Sequence, residues 1–165
     1  MSALTAGELR SRKGGRRLAM LTAYDYPTAL ALDRSGLDVL LVGDSLGEVE
    51  LGYDATRAVS LEMMVHHVRA VRNGVAMTHV VGDMPAGTYR TPAEAVATAR
   101  ALVDAGADSV KLEGGLVPQV AAIVAAWRKY FGLEMDYLGY IGYDDEMWRA
   151  VRARRPLLIE RPDLR

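Results

Sequence analysis

Three carboxylates close three successive apolar runs: Asp44 follows residues 39–43, Asp83 ends 79–83, and Glu113 follows 109–112. Carboxylate oxygens are hard donors. Gathered at one place they suit Mg²⁺, which takes one or two carboxylates and completes its octahedron with waters and substrate oxygens. Not all three need bind directly. Lys111 stands beside them and can offer positive charge to a substrate carboxylate or enolate. Ser45, Thr22 and Asp25 also follow apolar runs. A structural reading stays open beside the chemical one, because acidic residues after strands often cap the next helix.

For these residues to meet, the runs must be neighbouring parallel strands, whose carboxyl ends are where such sheets bind ligands. Short apolar runs do alternate with longer helical patterns, the signature of βα units. The pattern predicts strands near residues 18–22, 39–43, 79–83, 109–112 and 137–141. Helices are predicted at 26–35, 61–73, 92–105, 118–131 and 145–154, with a short one at 5–12. Near-continuous apolar strands suit a sheet covered on both faces. Thr91-Pro92-Ala93-Glu94 supplies an N-cap, a proline at the first helical position and a capping-box glutamate. Five βα units are too few for an eight-fold barrel of roughly 250 residues. The expectation is an α/β fold with a five-stranded, mostly parallel sheet and flanking helices.

A chain of 165 residues fits one domain. Its 20 basic and 21 acidic side chains leave a net charge of −1, which argues against nucleic acid or an anionic membrane as partner. With no cysteine there is no disulfide, thiol nucleophile or thiolate metal site. Apolar runs such as 39–42 are too short to span a bilayer, and the first residues lack the apolar stretch of a signal peptide. A cytoplasmic protein is expected. His66 and His67 point about 100° apart on a helix, which suits a structural or surface role better than a shared metal. His79 reads as a satisfied group at a strand edge, Asp54 as turn chemistry, and Asp25 as a helix cap or an orienter of the first loop.

Five motifs carry a resemblance. Thr22-Ala23-Tyr24-Asp25-Tyr26-Pro27, Leu41-Val42-Gly43-Asp44-Ser45-Leu46-Gly47, Leu51-Gly52-Tyr53-Asp54-Ala55-Thr56, Val81-Gly82-Asp83-Met84-Pro85 and Val110-Lys111-Leu112-Glu113-Gly114-Gly115 follow one another in order. Over residues 15–115 the chain resembles ketopantoate hydroxymethyltransferase. The resemblance implies a TIM barrel that transfers a hydroxymethyl group from methylenetetrahydrofolate to 2-oxoisovalerate. It implies that Asp44, Asp83 and Glu113 lie at a Mg²⁺ site and that Ser45 and Lys111 contact the 2-oxoacid. A Lewis acid chelated by that substrate would acidify the neighbouring carbon, and a general base would then take the proton. Residues 116–165 do not reproduce the family's later βα units or its glutamate base.

Residues 128–165 instead resemble the C-terminal strand and helix of partitioning and flagellar-number ATPases with a deviant Walker motif. Without G-x-x-x-x-G-K-[ST] the phosphate-cradling loop is absent, and no ATPase function carries over. Together the two resemblances lead to a single domain, residues 1–165. In it a half-barrel, 1–115, is extended by a grafted strand–helix unit, 116–165, into an open flavodoxin- or Rossmann-like sandwich. The functional expectation is a chimeric scaffold, engineered or natural, without full catalytic activity and with no working cofactor. The alternative is a Mg²⁺-dependent 3-methyl-2-oxobutanoate hydroxymethyltransferase, or a truncated relative, using methylenetetrahydrofolate. Uncovered strand edges would invite self-association.

Overall fold

A computed structural model describes residues 3–113 together with Val124 and Ala125. The predicted strand at 137–141, the helices at 118–131 and 145–154, and the ATPase-like stretch lie outside the described residues. Within them the chain runs α1 (Ala6–Ser11), β1 (Met20–Thr22), α2 (Tyr26–Asp33), β2 (Val39–Val42), α3 (Leu46–Val49), a 3-10 turn (Thr56–Ala58), α4 (Leu61–Gly74), β3 (His79–Asp83), α5 (Pro92–Asp104) and β4 (Ser109–Lys111). The four strands are parallel and stand in the order β1-β2-β3-β4. Among the described residues no helix is long and apolar enough to cross a membrane.

Side-chain caps start α1, α2, α4 and α5, while α3 begins without one. Asp25 accepts from Thr28 N–H ahead of α2, and Ser60 accepts from Met63 N–H ahead of α4. Thr91 and Glu94 close the full capping box at α5. The long helices then bury one stripe each: Met64, Val68 and Val71 on α4, and Ala95, Thr98, Ala99 and Leu102 on α5. These stripes meet Leu40, Val42 and Val80 of the sheet, all fully buried. Each such apolar side chain contributes roughly 1.5–3 kcal/mol on leaving water. A Cβ at Gly74 would sit 2.7 Å from Tyr26 O, so glycine is what lets α4 lie against α2.

β1 departs from the expectation of strands covered on both faces. Met20 is 55% and Leu21 51% exposed, and among the described residues β1 pairs with β2 alone. His79 differs as well. It opens β3, which lies between β2 and β4, and it is fully buried rather than at an edge.

Polar groups fasten the N-terminal ends of the strands. Asp33 accepts from the N–H groups of Ala76, Met77 and Thr78 at 3.1, 2.9 and 2.8 Å, tying the end of α2 to the approach to β3. Asp38, just before β2, accepts from Ala19 N–H at 2.9 Å and pairs with Arg12 and Arg16. His79 Nδ1 lies 2.6 Å from Leu4 O, and its Nε2 lies 2.7 Å from Ser109 Oγ. A carbonyl only accepts, so Nδ1 carries the proton.

Candidate functional site

The opposite, C-terminal ends of the strands hold the residues that the sequence singled out. Asp83 is the last residue of β3 and Lys111 the last of β4, and the register makes them direct cross-strand partners. Lys111 Nζ therefore reaches Asp83 Oδ2 at 2.7 Å, and it also donates to Glu113 Oε1. Asp83 is buried, and its second oxygen, Oδ1, is buried without a hydrogen-bond partner among the described residues. Asp44 follows β2, near enough for its charge to act on Asp83. Thr22 ends β1 and is exposed, and Asp25 serves as the α2 cap rather than joining the cluster.

The electrostatics follow from one ammonium among three carboxylates. Burial pushes Asp83 above the ordinary carboxylate value of 3.8, aided by Asp44 and Glu113, and the Lys111 contact only partly opposes it. Burial alone would lower Lys111, but its hydrogen bonds to Asp83 and Glu113 prevail and hold it above 10.5. Tyr89 borders the same ground. Its hydroxyl donates to Glu113 O at 3.0 Å, and burial together with Asp83, Glu113 and Asp44 raises it above 10.0. Among the described residues, no three acidic or histidine side chains converge as a ready-made metal cage. Lys111 is lodged between Asp83 and Glu113 at this rim of the sheet, so the expected trio of carboxylates does not close into a ligand set.

Ser45 lies on this rim at the start of α3. Its Oγ is 2.9 Å from the Tyr24 hydroxyl, and Tyr24 O is 2.7 Å from His67 Nδ1 on α4. His67 therefore has the structural role expected, while His66 is exposed. Neither Tyr24 nor Tyr89 stands out by residue type or spacing. Both sit in loops after strands, and Tyr24 lies within the Thr22–Pro27 motif. A shallow, open depression lined by Leu61, Glu62, Val65, His66, Arg69 and Ala101 includes neither the rim residues Asp44, Ser45, Asp83, Lys111 and Glu113 nor the two tyrosines.

Comparison with known proteins agrees with the geometry. The family model for ketopantoate hydroxymethyltransferase matches residues 3–129, past residue 115 where the quoted motifs end. A 3-methyl-2-oxobutanoate hydroxymethyltransferase of Oleidesulfovibrio alaskensis is 52% identical over 162 residues, covering 94% of this chain and 56% of that protein. One from Desulfotalea psychrophila is 53% identical over 156 residues, covering 90% of this chain and 56% of its own length. The chain spans about half the length of the curated relatives it matches. Among solved structures, a 2,3-dimethylmalate lyase of the PEP mutase/isocitrate lyase superfamily aligns with a TM-score of 0.61 at 21% identity, covering 93% of this chain and 59% of that one. Phosphonopyruvate hydrolase aligns at 0.62 and 15%, covering 74% and 48%. These two share the fold. The expectation of a chimeric scaffold without full catalytic activity is overturned, because relatives named for the enzyme match at about half identity across most of the chain. The motif order, the rim of acidic strand ends and these matches together place the chain in the ketopantoate hydroxymethyltransferase family.

Proposed function

We propose that the rim of Asp44, Ser45, Asp83, Lys111 and Glu113 serves transfer of a hydroxymethyl group from methylenetetrahydrofolate to 3-methyl-2-oxobutanoate, with Mg²⁺ as cofactor. The observation that carries this reading is Asp83 Oδ1, buried and without a partner among the described residues, at a rim where Asp83 and Glu113 flank the Lys111 ammonium and Asp44 adds a third negative charge. A buried carboxylate oxygen without a donor is costly, and a divalent cation relieves it. Asp83 and Asp44 would hold the ion, with waters and substrate oxygens completing its shell. When bound, Mg²⁺ supplies Lewis-acid stabilisation of negative charge on the substrate's ketone oxygen.

The chain's own residues would then share the remaining work. Lys111, pinned by Asp83 and Glu113, stays charged and would stand beside the substrate's anionic oxygens. The Ser45 hydroxyl would donate to an oxygen of the 2-oxoacid, fixing its orientation. Four parallel strands in consecutive order, with an apolar edge at β1, further support reading the sheet as half of an eight-stranded barrel. Such closure draws strand ends toward one axis.

The test supplies Mg²⁺, methylenetetrahydrofolate and 3-methyl-2-oxobutanoate and follows ketopantoate. Saturable product formation that Asp83→Asn abolishes is expected. A chain that neither turns over nor binds the 2-oxoacid with Mg²⁺ in calorimetry would overturn the proposal.

A further inference from the structure

Ser45 does not perform the task its position assigns. A serine at a helix N-cap ordinarily accepts from an N–H two or three residues on. Ser45 caps α3 without any such side-chain bond. Its backbone carbonyl takes Glu48 and Val49 N–H at 3.0 and 3.1 Å, while its Oγ turns to the Tyr24 hydroxyl at 2.9 Å. On the other side, a Cβ on Gly43 would stand 3.0 Å from that Oγ, so a residue without a side chain leaves it room. Tyr24 is itself anchored from two elements: Ala23 N–H bonds Leu41 O on β2 at 3.1 Å, and Tyr24 O meets His67 on α4. The hydroxyl is held by distant parts of the chain, not by its own helix.

We infer that Tyr24 is a positioning residue that aims the Ser45 hydroxyl at the 2-oxoacid. The inference rests on the function proposed above and adds a group that does not itself touch substrate. Proton counting fixes the direction of the relay. The ketone and carboxylate oxygens of a 2-oxoacid only accept, so Ser45 must spend its single proton on the substrate. Its bond to Tyr24 must then use a lone pair, with the phenol donating. Removing the phenolic hydroxyl leaves Ser45 free to rotate toward the first-turn N–H groups of α3, away from the rim.

The experiment titrates the full chain with 3-methyl-2-oxobutanoate at constant Mg²⁺, by calorimetry. Tyr24→Phe keeps the ring and removes the donor. It is expected to weaken binding about 3- to 10-fold, the range of one lost hydrogen bond. Ser45→Ala should weaken it at least as much, and the double variant no more than Ser45→Ala alone. Wild-type affinity in Tyr24→Phe, or losses that add in the double variant, would overturn the positioning role while leaving the proposed function standing. A Tyr24→Phe chain that no longer unfolds cooperatively in urea would mark a structural tyrosine and overturn it too. A wild-type chain that binds no 2-oxoacid brings down the proposed function and this inference together. The wild-type titration separates the two cases.

Discussion

The two ends of the same four strands use similar residues in opposite ways. At the N-terminal ends, Asp33 collects three backbone N–H groups, Asp38 one N–H and two guanidinium groups, and His79 a carbonyl and a hydroxyl. At the C-terminal ends, Asp83 is as buried as these but keeps an oxygen without a partner among the described residues, Asp83 and Glu113 share Lys111, and the Asp44 charge acts on Asp83. Satisfied polar networks rigidify, whereas an unsatisfied one persists only because the surrounding fold imposes it. Burial alone therefore does not distinguish stability from function here. Satisfaction does, and parallel α/β folds keep their chemistry at the C-terminal face.

The sharpest way to break this contrast is to remove a fastening. Asp33→Ala leaves Thr78 N–H buried without an acceptor and strands two neighbours. It is expected to lower the unfolding free energy by about 2–4 kcal/mol in urea titrations. A loss under about 0.5 kcal/mol, the level of an ordinary surface change, would show that this end is no more fastened than the other. His79→Leu preserves bulk but orphans Leu4 O and the Ser109 hydroxyl. A loss of about 1–3 kcal/mol is expected by the same measurement.

Acid titration tests the contrast through its sign. Burial would raise Asp33, but the N–H groups of Met77, Ala76 and Thr78 outweigh it and hold the carboxyl below 3.8. The Ala19 N–H, with Arg16 and Arg12, holds Asp38 below 3.8 against a smaller opposing effect of burial. A depressed carboxyl contributes stability that is present above its unfolded value and is lost as pH falls through the folded one. Asp83 is raised, so its contribution runs the other way: present below 3.8 and lost as pH rises through the folded value. Asp33→Asn and Asp38→Asn should each flatten the loss of stability on the acid side. Asp83→Asn should leave that side intact and remove a decline on the other. Urea midpoints measured across the acid range would read both, and identical profiles for the three variants would refute the assignment.

What the residues disclosed depended on whether a feature was local. The strands at 39–43, 79–83 and 109–112 and the Thr91–Glu94 capping box announce themselves within a few positions, and β2, β3, β4 and α5 lie there. Asp44, Asp83, Lys111 and Glu113 were legible because each ends or follows such a run. Tyr24 was not, since its bond to Ser45 spans 21 positions and no periodicity encodes it. The exposure of β1 was missed because an edge strand and a central strand share one apolar pattern. α3 is a single four-residue turn containing Gly47, below what helical spacing can reveal. The functional expectation failed differently. Familiar motifs end at residue 115, yet the family match runs on to residue 129 and a relative aligns over 94% of the chain, so a missing motif is not a missing family.

The smallest expected effect is the one that separates the two ends most cleanly. Asp83→Asn keeps shape and an acceptor for Lys111, so the cross-strand contact survives in neutral form. The substitution surrenders part of the ion pair, but Lys111 is 35% exposed and water screens what is lost. In return it removes a buried charge that had no second partner and relieves repulsion from Asp44 and Glu113. These opposing changes should nearly cancel, leaving the metal-free chain within about 1 kcal/mol of wild type and on the more stable side. Mg²⁺ should then stabilise the wild-type chain as its concentration rises, because a ligand bound only by the folded state adds RT ln(1 + [L]/Kd), and Asp83→Asn should lose that increment. Urea titrations with and without Mg²⁺ read both halves of the expectation. A metal-free loss as large as that of Asp33→Ala would mean that Asp83 is one more fastening, and that the two ends of the sheet are built alike.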